Sequence, residues 1–475
     1  MYIHKEGMYI NTFMAASTNG LIILFAAVLV QILAPTLFRG VIIPWAIILA
    51  CVISLLYIYK NIGNDCAISP ITWFLIACAI YYGVGPLIFI YGNAQSIEYI
   101  NYFYPVTEQM YAKTNVLNGI SICLVLTFII ISLQYKFKRL PALRTSDQEL
   151  IKYAKYISLI GVAFVILTVY LRINGGDKYV MPGIFYILRD FKNAGLFLYG
   201  LLFFRGHKSI TKYFVLMLVF DGIVAMVSLM KQEIIEYFLM IFFAFILSKK
   251  RKLYSTIFFA LIILLSYQPM TKVTSVLRNV FWKDNSSLIT DKSDNAKENS
   301  YNKFKEKLNE NTIDERQLTW IRINYTSQQA FAMEQYELGL PGKSFETAKW
   351  AFVPRIIYPD KPIITLGEEF TKLVTGRENV GGGTGAGAFA EGYWNKGWLG
   401  VIVVCSILGF LLSAATQFSV AVISSNAFQY YPLTVILLKL GYRVDDWFIA
   451  TSVNSIPMLI FSLVVIISIK KIKDS

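Results

Sequence analysis

Histidine is almost missing from this chain. Its 475 residues hold only His4 and His207, and no Cys/His cluster has the spacing of a metal site. Neither a metal nor any other cofactor is expected. Cysteine is nearly as rare. Cys51, Cys66, Cys78, Cys123 and Cys405 all lie in or beside apolar runs, so no extracytoplasmic disulfide framework is implied. Charge is scarce as well, at 16% of residues against about 25% in a soluble domain. The glycine-rich GGGTGAG at 381–387 lacks a following Gly-Lys-Ser/Thr, which excludes a nucleotide P-loop.

What the chain has is apolar sequence. Hydrophobic residues make up 56% of it, and the mean hydropathy is +0.54. Apolar runs fall near 20–38, 41–59, 71–91, 116–135, 156–173, 184–204, 213–230, 233–248, 253–268, 396–416, 428–442 and 447–469. Most approach the ~20 residues a helix needs to cross a ~30 Å hydrocarbon core. The expected fold is an all-α polytopic integral membrane protein of about 12 transmembrane helices. Residues 1–268 carry helices one to nine and residues 396–475 carry helices ten to twelve. The 184–204 run is interrupted at its start by Arg189, Asp190 and Lys192. The first run is too long for a signal-peptide core and reads as an uncleaved first span.

The net charge of +14 sits in short loops at helix ends, which points to a membrane surface and away from nucleic acid. Basic clusters at 136–144, 205–212, 249–252 and 470–473 all fall on one side if the spans alternate. By the positive-inside rule that side is the cytoplasm, with both termini inside. Residues 269–395 then form a large outer loop between the ninth and tenth spans. Its 16 Lys/Arg and 15 Asp/Glu between Pro269 and Thr384 nearly cancel, and long loops translocate largely regardless of charge. Within it, 283–312 is polar and reads as flexible, whereas 313–395 reads as ordered and site-bearing. Leu318, Trp320, Ile321, Ile323, Tyr325, Phe331, Met333 and Tyr336 recur there at mixed three-to-four-residue spacing, the pattern of an amphipathic helix.

Several charged residues gather on this outer side. In AFVPRIIYPDKP, three prolines stiffen a segment bearing Arg355, Asp360 and Lys361. A rigid guanidinium suits a phosphate, although interfacial cations also meet lipid head groups. In GGGTGAGAFAEGYWNKGWLG, Glu391 and Asn395 are four apart and share a helix face. The backbone amides at 385–388 would open that helix as an anion site. Small residues such as Gly383 and Gly387 can also serve only close packing, but a carboxylate at a membrane boundary is a functional hypothesis by default. Arg322, Arg443, Lys231 and Arg172 are further cations on the same face; taken singly, each fits an ordinary interfacial anchor. Their shared placement suggests an anionic, lipid-linked ligand.

The order Arg322-x-Asn324, then PRIIYPDKP, then AEGYWNKGWLG resembles the bacterial O-antigen or oligosaccharide repeat-unit polymerases, the Wzy family. The likeness covers roughly 320–400. The chain has Lys231 where relatives often have an arginine. The family's Arg-x10-Gly spacing fits both Arg172/Gly183 and Arg189/Gly200. The resemblance implies a glycosyltransferase of the bacterial inner membrane, in surface polysaccharide and lipopolysaccharide biosynthesis. It would polymerise undecaprenyl-pyrophosphate-linked oligosaccharide units at the periplasmic face, alongside a chain-length-regulating co-polymerase. Pyrophosphate departure would draw on Arg322, Arg355, Lys361 and Arg443, with Asn395, Lys231 and Arg172 as further substrate-binding residues. Glu391 would act as the base or hold an arginine in place, and Asp360 is the second candidate base.

Three rivals remain. An O-antigen ligase shares the loop plan but typically carries a histidine in the long loop, and none is present. A lipid-linked oligosaccharide flippase would show shorter loops and charges buried mid-span. A structural partner of an export complex would not need the Arg/Glu constellation.

Overall fold

The computed structural model describes residues 2–34, 40–135, 146–175, 183–228, 231–248, 320–353, 365–376, 383–425 and 430–453, with isolated positions among 258–273, 358–362, 427 and 455–460. Arg355, Asp360, Lys361, the 283–312 segment and most of the 253–268 run lie outside the described residues. All regular structure among the described residues is helical. In chain order the principal helices are α1 (Tyr2–Leu33), α2 (Ile42–Ile62), α3 (Pro70–Cys78), α4 (Ala94–Phe103), α5 (Glu108–Leu133), α6 (Asp147–Gly175) and α7 (Gly183–Arg205). There follow α8 (Thr211–Val227), α9 (Lys231–Ser248), α10 (Thr326–Glu337), α11 (Leu366–Thr375), α12 (Ala388–Ser424) and α13 (Tyr431–Tyr442). Seven helical stretches among the described residues are long and apolar enough to cross a bilayer.

The first helix differs from the expected 20–38 span by beginning at Tyr2. Its polar residues do not break it, because Thr12 and Thr18 donate to the carbonyls of Met8 (2.8 Å) and Met14 (2.9 Å). Such back-bonding satisfies a hydroxyl inside an apolar helix, while Tyr9, Phe13 and Ala16 enter the core.

The chain divides into two compact units, one of residues 1–144 and 315–475 and the other of residues 145–314. In the first, α1 packs on α2 and α5, α5 packs on α12, and α13 packs on α3. The helix α10, from the expected outer loop, joins this core by burying Ala330, Phe331, Ala332 and Met333. Its Gln329 exchanges two amide hydrogen bonds with Asn118 of α5, at 2.9 and 2.8 Å. A π-helical turn at Ala79–Val84 follows α3, and the Val84 carbonyl accepts from Trp320 Nε1 at 2.8 Å.

The tenth apolar run is longer than the sequence suggests. Helix α12 begins at Ala388 and is broken at Lys396 and Gly397, whose φ of −147° and +59° leave the helical range. After the break the chain folds back so closely that a Cβ at Gly400 would collide with the Gly392 carbonyl. Residues 388–395 therefore form a short arm lying against the start of the long helix.

In the second unit, α6 packs on α7, and α7 packs on α8 and α9. The charges that interrupt the 184–204 run are paired there. Lys192, 1% exposed, stands 3.4 Å from Asp221 and 3.6 Å from Glu233. Arg189 bonds Glu233 at 2.9 Å.

Candidate functional site

The short arm of α12 is held by its polar residues. Glu391 is fully buried, and its Oε1 accepts from Ser344 Oγ at 2.6 Å. Its Oε2 accepts from the Phe448 backbone amide. Asn395 donates to Ser344 Oγ at 2.8 Å and to the Glu391 carbonyl at 2.9 Å, and accepts from the Phe345 amide at 3.1 Å. One carboxylate thus ties the Ser344–Thr347 turn to the chain at 447–449. Both its oxygens are engaged, so the geometry gives Glu391 a holding role in this state.

The expected anion site at the start of this helix is not formed. Gly387, at φ +82°, caps it, and the Ala388 amide donates to the Val444 carbonyl at 3.1 Å. The Gly385 backbone lies against Asp445 and Asp446. Backbone atoms of the 444–446 segment, the Val444 and Asp445 carbonyls among them, occupy the position an anion would need.

A cavity of about 330 Å³ opens where α4, the approach to α10, and the second half of α11 meet. Its lining includes Tyr99, Arg322, Asn324, Tyr325, Ser327, Gln328, Thr371, Thr375 and Thr384. The Asn324 side chain accepts from the Thr326 amide at 3.2 Å, fixing the turn that presents Arg322. Arg322 is exposed and has no ion-pair partner among the described residues. Ser327 Oγ and Gln328 Oε1 are buried and find no hydrogen-bond partner among the described residues. A free guanidinium beside unsatisfied polar atoms is a setting for a polar, anionic ligand.

Arg443 is placed differently. It pairs with Asp446 and is already engaged. Next to it, Asp445 accepts from Tyr325, a cavity residue, at 2.9 Å, so the 322–325 and 443–446 segments meet there. Burial raises the Asp445 carboxyl to about 6, opposed by the Tyr325 hydrogen bond and by Arg443 and reinforced by Asp446. Burial likewise pushes the Tyr325 phenol well up.

A second cavity, about 340 Å³, lies at the other end of α11, lined by Thr347, Thr365, Leu366, Gly367, Glu368, Trp447, Ile449 and Ala450. Between the two, Phe370 is fully buried against Phe331, Trp394 and Trp447.

The structure thus brings Glu391 and Asn395 into one network and places Arg322 and Arg443 on segments joined by Tyr325–Asp445. Arg172 and Lys231 lie on α6 and α9, and their side chains are outside the described residues, as are Arg355, Asp360 and Lys361. Sequence reasoning missed Ser344, Asp445 and the Thr371/Thr375 wall, and read Tyr325 only as part of an apolar periodicity. The adjacent acids of YRVDDWF were a legible signal for Asp445, whereas nothing local marked Ser344. Comparison of the chain with protein-family models, curated proteins and solved structures finds no match.

Proposed function

We propose that this chain is a membrane glycosyltransferase that joins lipid-linked oligosaccharide units at the outer face of the bacterial inner membrane. In this reading the chain crosses the membrane about twelve times and keeps both termini in the cytoplasm. The carrying observation is the cavity at Arg322, where a guanidinium with no ion-pair partner among the described residues stands beside the buried Ser327 Oγ and Gln328 Oε1, which find no hydrogen-bond partner there either. A diphosphate leaving group is stabilised by such a fixed cation as its charge develops. The glycan's bond to diphosphate breaks as a hydroxyl of the incoming unit attacks, and the hydroxyl proton passes to a base. Glu391 is sealed by its own partners, so we assign it to holding the site walls. Arg355, Lys361 and Asp360 remain assigned from the sequence to the same site.

A deletion strain complemented with wild-type, Arg322→Ala or Arg355→Ala chains tests this by gel analysis of surface glycan. Wild type should restore long chains, and each variant should leave single units. Full-length polymer from both variants would sink the site assignment.

One observation favours a second reading, a flippase for the same lipid-linked units: Lys192 and Asp221 are fully buried on apolar helices. Deletion would then leave lipid-linked units confined to the cytoplasmic leaflet, not displayed outside as single units.

A further inference from the structure

The two cavities that bracket α11 differ in charge. Among the described residues, Arg322 is the one charged residue lining the first, and Glu368 is the one charged residue lining the second. At 1.5 Å per residue, Glu368 and Thr375 are about 10 Å apart along the helix. A reaction that joins two glycans needs two sites, one for the unit that loses diphosphate and one for the unit that supplies a hydroxyl. Resting on the polymerase reading above, we propose that the second cavity is the acceptor site and binds a hydroxyl-bearing saccharide without an acidic group at the bound sugar.

The chemistry of the walls selects that ligand. A carboxylate repels a diphosphate but accepts hydrogen bonds from sugar hydroxyls, and charge-assisted bonds of this kind are the stronger ones. Glu368 is about half-exposed and, among the described residues, bonds only Lys372, one turn along its own helix, at 3.1 Å. The hydroxyls of Thr347 and Thr365 are spent as donors, to the Ser344 carbonyl at 2.6 Å and to Glu369 at 3.2 Å. They keep lone pairs to accept from a ligand. Trp447 adds an indole N–H that is buried without an acceptor among the described residues. A buried donor left unpaired is costly and rare in folded proteins.

The walls are also held on purpose-built contacts. Glu391 accepts from Ser344, which opens the turn ending at Thr347, and from the Phe448 amide, next to Trp447. The same carboxylate therefore sets the spacing of both sides of this cavity. Asn395 fixes the Ser344 turn from the next turn of the helix. Glu391 and Asn395 are positioning residues for the acceptor site.

The test uses the full-length chain in lipid nanodiscs and saturation-transfer NMR. The probes are free glucose, galactose, N-acetylglucosamine and N-acetylgalactosamine, with glucuronate as the acidic counterpart. At least one neutral sugar should receive saturation, and glucuronate should bind more weakly by about tenfold, the scale of one charge-assisted hydrogen bond. Glu368→Gln should weaken the neutral sugar by a similar factor and narrow that discrimination. Trp447→Phe keeps the ring, removes the N–H, and should weaken binding severalfold. No transfer to any neutral sugar, or binding unchanged in both variants, overturns the proposal. If sugars bind as stated while the deletion strain still makes full-length glycan, the saccharide site stands and the polymerase reading fails. If deletion abolishes polymer and no sugar binds, the acceptor assignment fails alone.

Discussion

Asp445 faces Tyr325 at 2.9 Å, with Tyr81 and Tyr82 behind that ring and Arg443 and Asp446 on its own segment. Burial raises its carboxyl to about 6, above the ~3.9 of an unfolded chain. The folded state then binds the proton more tightly than the unfolded state, so folding stability falls as pH rises from about 4 to about 6 and levels off above. Asp445→Asn should remove that decline. Thermal unfolding in detergent from pH 4 to 7.5 checks it, and parallel curves for wild type and variant would refute it. Glu391 shows how differently a carboxylate can be used a short distance away. Its place on a helix face with Asn395 was legible from the four-residue spacing. That both its oxygens are taken by Ser344 and Phe448 was not, because those partners lie 47 and 57 residues away in sequence.

At the scale of the element, the short arm of α12 depends on three glycines. Gly397 adopts φ +59°, where a side chain is strained, and a Cβ there would stand 2.9 Å from the Tyr336 ring. Gly392 and Gly400 let two backbone segments touch. A Cβ at Gly400 meets a carbonyl oxygen that cannot rotate away, so Gly400→Ala should cost ~3 kcal/mol by overpacking. It should also loosen the Glu391 network. The expected readout is a lowered unfolding midpoint with increased proteolysis at 344–353, and an unshifted midpoint would contradict the hairpin. The hydropathy pattern placed a membrane entry near residue 396, and a packing role was legible only for Gly383 and Gly387. It could not show the reversal there, since a helical run and two helices folded on each other share one apolar composition.

At the scale of the whole molecule, residues 145–314 form a compact unit of their own, which holds the buried Lys192–Asp221 ion pair. Lys192→Met would strand the buried Asp221 without its cation while Glu233 keeps Arg189, and removing one partner of a buried pair costs ~3–5 kcal/mol. Lys192→Met with Asp221→Leu should cost less than the sum of the single changes. Unfolding in detergent measures both, and strict additivity would show that the pair is not coupled.

By itself the sequence determined the solvent this protein is built for. Long apolar runs, few charges and basic clusters at their ends follow from the energy of placing groups in hydrocarbon, and that energy is additive along the chain. It also named Glu391 and Asn395 as residues out of place at a membrane edge, and Arg322 as one of several cations gathered on the outer side. Only the tertiary structure decided what surrounds them. It left Arg322 open to a cavity, engaged Arg443 with Asp446, and closed Glu391 between Ser344 and Phe448. The Arg443–Asp446 pair is local, three residues apart, but the cavity at Arg322 and the closure of Glu391 depend on segments distant in sequence, which no local pattern records.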